Sequence, residues 1–174
     1  MVCTGNICRS PAMHYLAQRE WGDAAEVSSA GTYAEIGMDA TREIRRSAAH
    51  YDVTMPRHRP TQLSRALIER ADVVFVATES HARWIAHECG ETPSHVFGIR
   101  QAAELTTRAA PPHGDTPADR LRNAASALAA AQAEGPAPLR SLDDPWGHSQ
   151  QVFDRVMAEI VADISALTLW ARVR

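Results

Sequence analysis

Alternating strand and helix signals across these 174 residues predict an α/β fold: a doubly wound, four-stranded parallel sheet with helices on both faces and a phosphate-binding loop at the N-terminus. Three observations carry that reading. The run ADVVFVAT at 71–78 is nearly all apolar and rich in β-branched residues, as a parallel strand covered on both faces must be. Stretches of helical period separate this run from other short apolar runs. The stretch CTGNICRS at 3–10 opens directly into a helix, which places it beyond the carboxyl end of a strand, where such sheets bind ligands.

Taken in order, the first strand is the least complete element. Only Met1 and Val2 precede Cys3, so this strand reads as truncated and residues upstream of the given start are expected. A central strand's five or so apolar side chains, at roughly 1.5–3 kcal/mol each, would rival the stability of a whole domain. Ser10 then reads as a helix N-cap with Pro11 at the first helical position, and the run to Trp21 stops at Gly22. AEVSSAGT at 25–32 reads as a short strand, and 39–50 as a helix with Ile44 and Ala48 on one face. Residues 63–70 are helical in period and lead into the strand at 71–78. A helix at 79–88 and the strand HVFGI at 95–99 follow.

The segment 101–140 breaks the rhythm. It is rich in alanine and proline, with one helix expected over 117–134, capped by Thr116 and ended by Gly135, as an inserted surface helix within a single domain spanning 1–174. The last block, 149–170, sets Val152, Val156, Ile160 and Ile164 at helical spacing, the stripe of a helix that packs back on the sheet.

Composition narrows the function. A net charge of -3 gives no electrostatic reason for a nucleic acid or an anionic membrane as partner, so any anion site must be local. No stretch has the length of an apolar membrane span, and the start lacks the regions of a secretory signal; a cytoplasmic location is expected. The three cysteines, Cys3, Cys8 and Cys89, fit neither a disulfide scaffold nor a zinc site, so no metal and no cofactor are expected.

The N-terminal octapeptide reads as chemistry. Gly5 and Asn6 both tolerate φ > 0, so the loop 3–8 can curl its backbone N–H groups inward, with a helix N-terminus aimed at the same spot. That is a cradle for a tetrahedral oxyanion, built from Thr4, Gly5, Asn6, Ile7 and Cys8. Arg9 adds a planar fork able to grip two phosphate oxygens. Cys3 stands where the positive surroundings favour the thiolate, the form that attacks, and Ser10 can donate a hydrogen bond to its sulfur. A cysteine under a bound phosphate means a cysteinyl-phosphate intermediate, which needs an acid for the leaving oxygen. SLDDPWGHS at 141–149 offers carboxylates on another loop.

VCTGNICRSP, SSAGT, ADVVFVAT and DDPWG, in that order, resemble the low-molecular-weight protein tyrosine phosphatase family, with the similarity running over 2–99 and again from Leu142 onward. The resemblance implies a phosphotyrosine phosphatase, acting on protein or small aryl phosphates. Cys3 would be the nucleophile, Arg9 the phosphate clamp, Asn6 the residue that holds the loop in shape and Ser10 the stabiliser of the leaving thiolate. It makes Asp144 the general acid, with Asp143 a solvated neighbour, and it sets His58 to support Asn6 and Trp146 to flank the crevice. Two rival readings go with it. An arsenate reductase on the same scaffold would need two further cysteines close together after the strand 71–78, where Ala77 stands and Cys89 is alone. A catalytically inactive phosphate-binding module would follow if the first strand is truly missing.

Overall fold

The computed structural model describes residues 1–173. At its centre lies a parallel sheet of four short strands, β1 (Val2–Cys3), β2 (Ala30–Gly31), β3 (Val74–Val76) and β4 (Val96–Gly98), in the order β2-β1-β3-β4. Val2 pairs with Ala30 on one side and Val76 on the other, and Phe75 pairs with Phe97. The chain leaves β1 for β2 on one flank and later crosses to β3 on the opposite flank. The carboxyl end of β1 is therefore the switch point of the sheet, the position at which α/β folds leave a crevice. Cys3 ends that strand.

The eight helices are α1 (Arg9–Trp21), α2 (Arg42–Ala49), α3 (Arg65–Arg70), α4 (Glu79–Cys89), α5 (Ile99–Leu105), α6 (Pro117–Arg122), α7 (Ala124–Glu134) and α8 (Gln150–Trp170) among the described residues. The two-residue period of the strands sorts them between two faces. Cys3, Phe75 and Phe97 face a core filled by Met13 and Leu16 of α1, Ile44 of α2, Leu105 of α5, Leu128 of α7, and Val156, Ile160 and Ile164 of α8. Val2, Val74, Val76 and Val96 face the other way, onto Ile68 of α3 and Ala82 and Ile85 of α4. Burying one such aliphatic side chain stabilises by about 1.5–3 kcal/mol.

Several expected boundaries shift, each for a local reason. α1 begins at Arg9, and Ser10 is its second residue; the Ser10 hydroxyl does not cap the helix because it is turned to Cys3 and Asn6. Of the strand expected at 25–32 only Ala30–Gly31 pairs with β1; residues 25–29 are irregular beside a cavity of about 670 Å³ that Val27, Val73 and Phe75 help to line. α2 starts at Arg42, because Thr41 caps it by accepting from Ile44 N at 3.3 Å. The helix expected over 117–134 is two, broken at Asn123, whose side chain donates to His113 O at 3.0 Å. Nor is it a surface element: Leu121, Ala124, Leu128 and Ala131 are buried in the main core. Ile99 leaves the last strand to open α5, an unforeseen helix. No helix among the described residues is long and apolar enough to cross a membrane.

Candidate active site

The loop from Cys3 to Cys8 has its backbone sorted by polarity. All six carbonyls find donors: Thr32 N on Cys3 O, Tyr33 N on Thr4 O, Glu35 N on Gly5 O, His58 Nε2 on Asn6 O, Thr41 N on Ile7 O and Ala12 N on Cys8 O, at 2.9–3.2 Å. The amide N–H groups of Thr4, Gly5, Asn6, Ile7 and Cys8 donate to no protein acceptor among the described residues. Asn6, Ile7 and Cys8 are buried, where amides left without partners are uncommon, and a row of such N–H groups at a helix N-terminus is an anion-binding concavity.

Two backbone features make the curl possible. Asn6 adopts φ 55°, the left-handed region that asparagine tolerates better than most residues. Gly5 does not use positive φ, contrary to the sequence expectation. Gly31 matters for a different reason: a Cβ there would lie 2.3 Å from Thr4 O, so β2 can approach the loop only without a side chain.

Asn6 is fully buried and ties the loop to three elements. Its Nδ2 donates to Ser10 Oγ (2.8 Å) and Ser29 Oγ (3.0 Å), and its Oδ1 accepts from Thr61 N (2.9 Å). His58 supports it as expected, with Nε2 donating to the Asn6 carbonyl, so Nδ1 is left to accept from Tyr15 OH at 3.1 Å. Burial lowers the His58 pKa, in keeping with a neutral ring. Ser10 Oγ accepts from Asn6, and its own proton has two acceptors within reach, the Cys3 sulfur at 3.0 Å and the more distant Ala30 O at 3.5 Å. Cys8 is buried with its Sγ 3.6 Å from Thr41 Oγ1, and burial pushes its pKa up to about 12; it is a protonated thiol.

Arg9 is almost wholly buried. Its Nη1 donates to Leu142 O (3.3 Å) and its Nη2 pairs with Asp144 Oδ2 (2.8 Å), while Nε has no partner among the described residues. A buried guanidinium N–H without an acceptor points to an oxyanion that would take it. The structure thus brings Cys3, Arg9 and Asp144 to one crevice of about 150 Å³, lined also by Thr4, Gly5, Ile7, Cys8, Tyr33, Glu35 and Trp146. Asp143 points elsewhere, to Arg155 at 2.7 Å on the surface. Tyr33, Glu35 and His81, which bonds to Thr4 Oγ1, are the residues sequence reading missed. Tyr33 follows the SSAGT motif directly, and an aromatic residue at that position was a signal available in the sequence; the structure leaves its ring exposed.

The model of the family described as low molecular weight phosphotyrosine protein phosphatase matches residues 1–115. A protein-arginine-phosphatase from Geobacillus stearothermophilus is 31% identical over 100 residues, covering 58% of this chain and 67% of that protein. The low molecular weight protein-tyrosine-phosphatase Wzb of Escherichia coli K12 is 35% identical over 81 residues, covering 47% and 54%. Among solved structures, Vibrio vulnificus Wzb in complex with benzylphosphonate superposes with a TM-score of 0.72 at 22% identity, covering 97% of this chain and 94% of that one.

Proposed function

The chain belongs to the low molecular weight phosphotyrosine protein phosphatase family, and from that premise we propose that it hydrolyses phosphotyrosine through a cysteinyl-phosphate intermediate. The observation that carries the reading is the loop 3–8, whose six carbonyls are all satisfied and whose amides from Thr4 to Cys8 meet no protein acceptor among the described residues, closed by an Arg9 with an open Nε–H. A phosphoryl group seated there accepts from the amides and the guanidinium, with its phosphorus over Cys3. The thiolate attacks phosphorus as the bond to the tyrosyl oxygen breaks, and Asp144 delivers its proton to that oxygen. Asp144, now a carboxylate, takes a proton from water, whose oxygen attacks phosphorus and releases Cys3 as a thiolate that accepts from Ser10. The donors are fixed before substrate arrives, so charge developing on the phosphoryl oxygens is met without reorganisation.

The crevice supports an aryl ester: Ile7, Tyr33 and Trp146 give it apolar and aromatic walls. Cys89 sits at the end of α4 and packs against the core on the opposite face of the sheet from Cys3 and Cys8, which argues against an arsenate reductase relay. One observation favours a second substrate. The carboxylates of Glu35 and Asp144 both line the mouth, where the guanidinium of a phosphoarginine would pair with them, and relatives at 31% and 34% identity are protein-arginine-phosphatases.

Matched peptides carrying phosphotyrosine or phosphoarginine decide between these. The expected result is a kcat/KM at least about tenfold higher for phosphotyrosine, a gap of about 1.4 kcal/mol in transition-state binding. A preference for phosphoarginine overturns the substrate assignment. Cys3→Ser is expected to abolish turnover while vanadate still binds, and Arg9→Ala to lose both; robust turnover by Cys3→Ser rejects the mechanism.

A further inference from the structure

His81 lies in the first turn of α4, almost wholly buried, 77 residues from the loop it touches. Its Nδ1 is 3.1 Å from Thr78 N and 2.8 Å from Thr78 Oγ1. A backbone N–H can only donate, so Nδ1 is an acceptor and the proton of the neutral ring is on Nε2. That N–H donates to Thr4 Oγ1 at 2.9 Å. Thr4 Oγ1 is thereby an acceptor toward the histidine, and its own proton must point away from it. Among the described residues no acceptor meets that proton, and Thr4 lines the crevice next to Cys3 and Arg9.

We propose that His81 is a positioning residue for the phosphoryl transfer: as its Nε2–H tautomer it fixes the Thr4 hydroxyl rotor so that the hydroxyl proton is offered to an oxygen of the bound phosphoryl group. The inference rests on the phosphatase reading above. Without His81 the Thr4 hydroxyl would sample three staggered directions, and water would compete for each. With it, a hydroxyl donor joins the five amides and the Arg9 guanidinium, aimed before the ligand arrives. The charged groups that act on the ring agree with its being neutral. Burial and the Arg9 guanidinium hold the imidazole neutral, with a pKa lowered to about 4, while Asp144 opposes them more weakly.

The alternative is that His81 only closes the helix end, through Nδ1 and Thr78 N. Two substitutions separate the roles, because asparagine places an acceptor near the position of Nδ1 whereas glutamine places a donor near that of Nε2. If His81 positions Thr4, His81→Asn keeps the melting temperature within about 2 °C and lowers kcat/KM for an aryl phosphate about five- to tenfold, the size of one lost hydrogen bond. His81→Gln does the reverse, losing thermal stability while holding kcat/KM within about twofold. Thr4→Val reproduces the loss of His81→Asn, Thr4→Ser does not, and the double variant Thr4→Val/His81→Asn loses no more than either alone. Multiplying losses, or an inactive His81→Gln beside a fully active His81→Asn, overturn the proposal. Titration with inorganic phosphate gives a readout independent of turnover: His81→Asn and Thr4→Val are expected to weaken phosphate binding by the same several-fold factor. A wild-type protein that binds phosphate but hydrolyses no phosphomonoester would refute the phosphatase reading alone, and unchanged phosphate affinity in both variants would refute the role of His81 alone.

Discussion

Residues 3–10 and residues 142–146 face each other across one crevice and are held in opposite ways. The first segment is pinned by six carbonyl hydrogen bonds, by the buried Asn6 side chain and by α1. The second is anchored at its start by Leu142 N on Ala77 O (2.8 Å) and then rises to the surface, with the side chain of Asp144 53% exposed and Trp146 58% exposed. The oxyanion half of the site is thus buried and densely bonded, and the proton-delivering half is exposed and held by fewer contacts. Arg9 straddles the two. Its Nη2 pairs with Asp144, so an arriving phosphoryl group competes with the general acid for the same guanidinium, and the acid is released toward the leaving oxygen as the clamp is taken.

The sharpest way to break this contrast is to remove the carboxyl of the exposed half. Asp144→Ala is expected to lower kcat for phenyl or alkyl phosphates by about 10²–10³-fold and for an activated aryl phosphate by less than about tenfold, because only the poor leaving group needs the proton. Inorganic phosphate, freed from competition with the carboxylate, should bind about two- to fivefold more tightly to this variant, the modest value of a half-exposed ion pair. Asp143→Ala changes both quantities by less than about twofold, since its pair with Arg155 is exposed at both ends. Equal losses from the two variants would reject Asp144 as the acid.

Loosening the densely bonded half comes next in size. Asn6→Gly keeps the left-handed backbone and removes the side-chain bonds to Ser10, Ser29 and Thr61, so kcat/KM is expected to fall about 10- to 30-fold. Asn6→Ala adds the backbone cost of φ 55° and should fall further and melt lower than Asn6→Gly. If the alanine variant is the better enzyme and the more stable, the loop is not held by that geometry.

The same contrast explains what could be read from the sequence. The densely bonded half is seven contiguous residues and Ser10, so the chemistry of Cys3, Asn6, Arg9 and Ser10 is local and visible in their order. The partners that bond it in place are not local: Ser29, His58 and Thr61 reach Asn6 from 23, 52 and 55 residues away. Of these only His58 carried a sequence cue. The link between Thr4 and His81 spans 77 residues and had none. Among the elements, long apolar runs marked β3 and α8 well because burial on both sides of a strand, or along one stripe of a helix, leaves a pattern. The break at Asn123 left no pattern, since the Arg and Leu before it and the alanines after it all favour helix, and the side-chain bond to His113 O is a contact ten residues away.

The smallest expected effect is on stability below neutral pH, and it tests whether the buried network around the densely bonded loop is made of neutral histidines. His14 stacks on Tyr15, with Nδ1 3.2 Å from Ser29 Oγ, and burial lowers its pKa to about 4, as burial also does for His81. Both rings are neutral in the folded protein at pH values where the unfolded chain already protonates them, so the unfolded state binds more protons as pH falls from about 6.5 toward 4. The stability these two groups contribute is complete above about pH 6.5 and is lost as pH drops through about 4. Asp163 works against this trend: burial raises its pKa to about 6, so its protonation favours the folded state over much of the same window. The two histidines outweigh the carboxyl, and the buried Met1 amine, lowered to about 5, and His58, also lowered by burial, act in the same direction as those two histidines, so the melting temperature is expected to fall by at least roughly 5 °C between pH 7 and pH 4.5. Asp163→Asn, which removes the opposing group, should steepen the fall, and His14→Gln should flatten it. A melting temperature that rises on acidification, or a slope unchanged in His14→Gln, would mean that the network around Asn6 carries a charged histidine in the folded state.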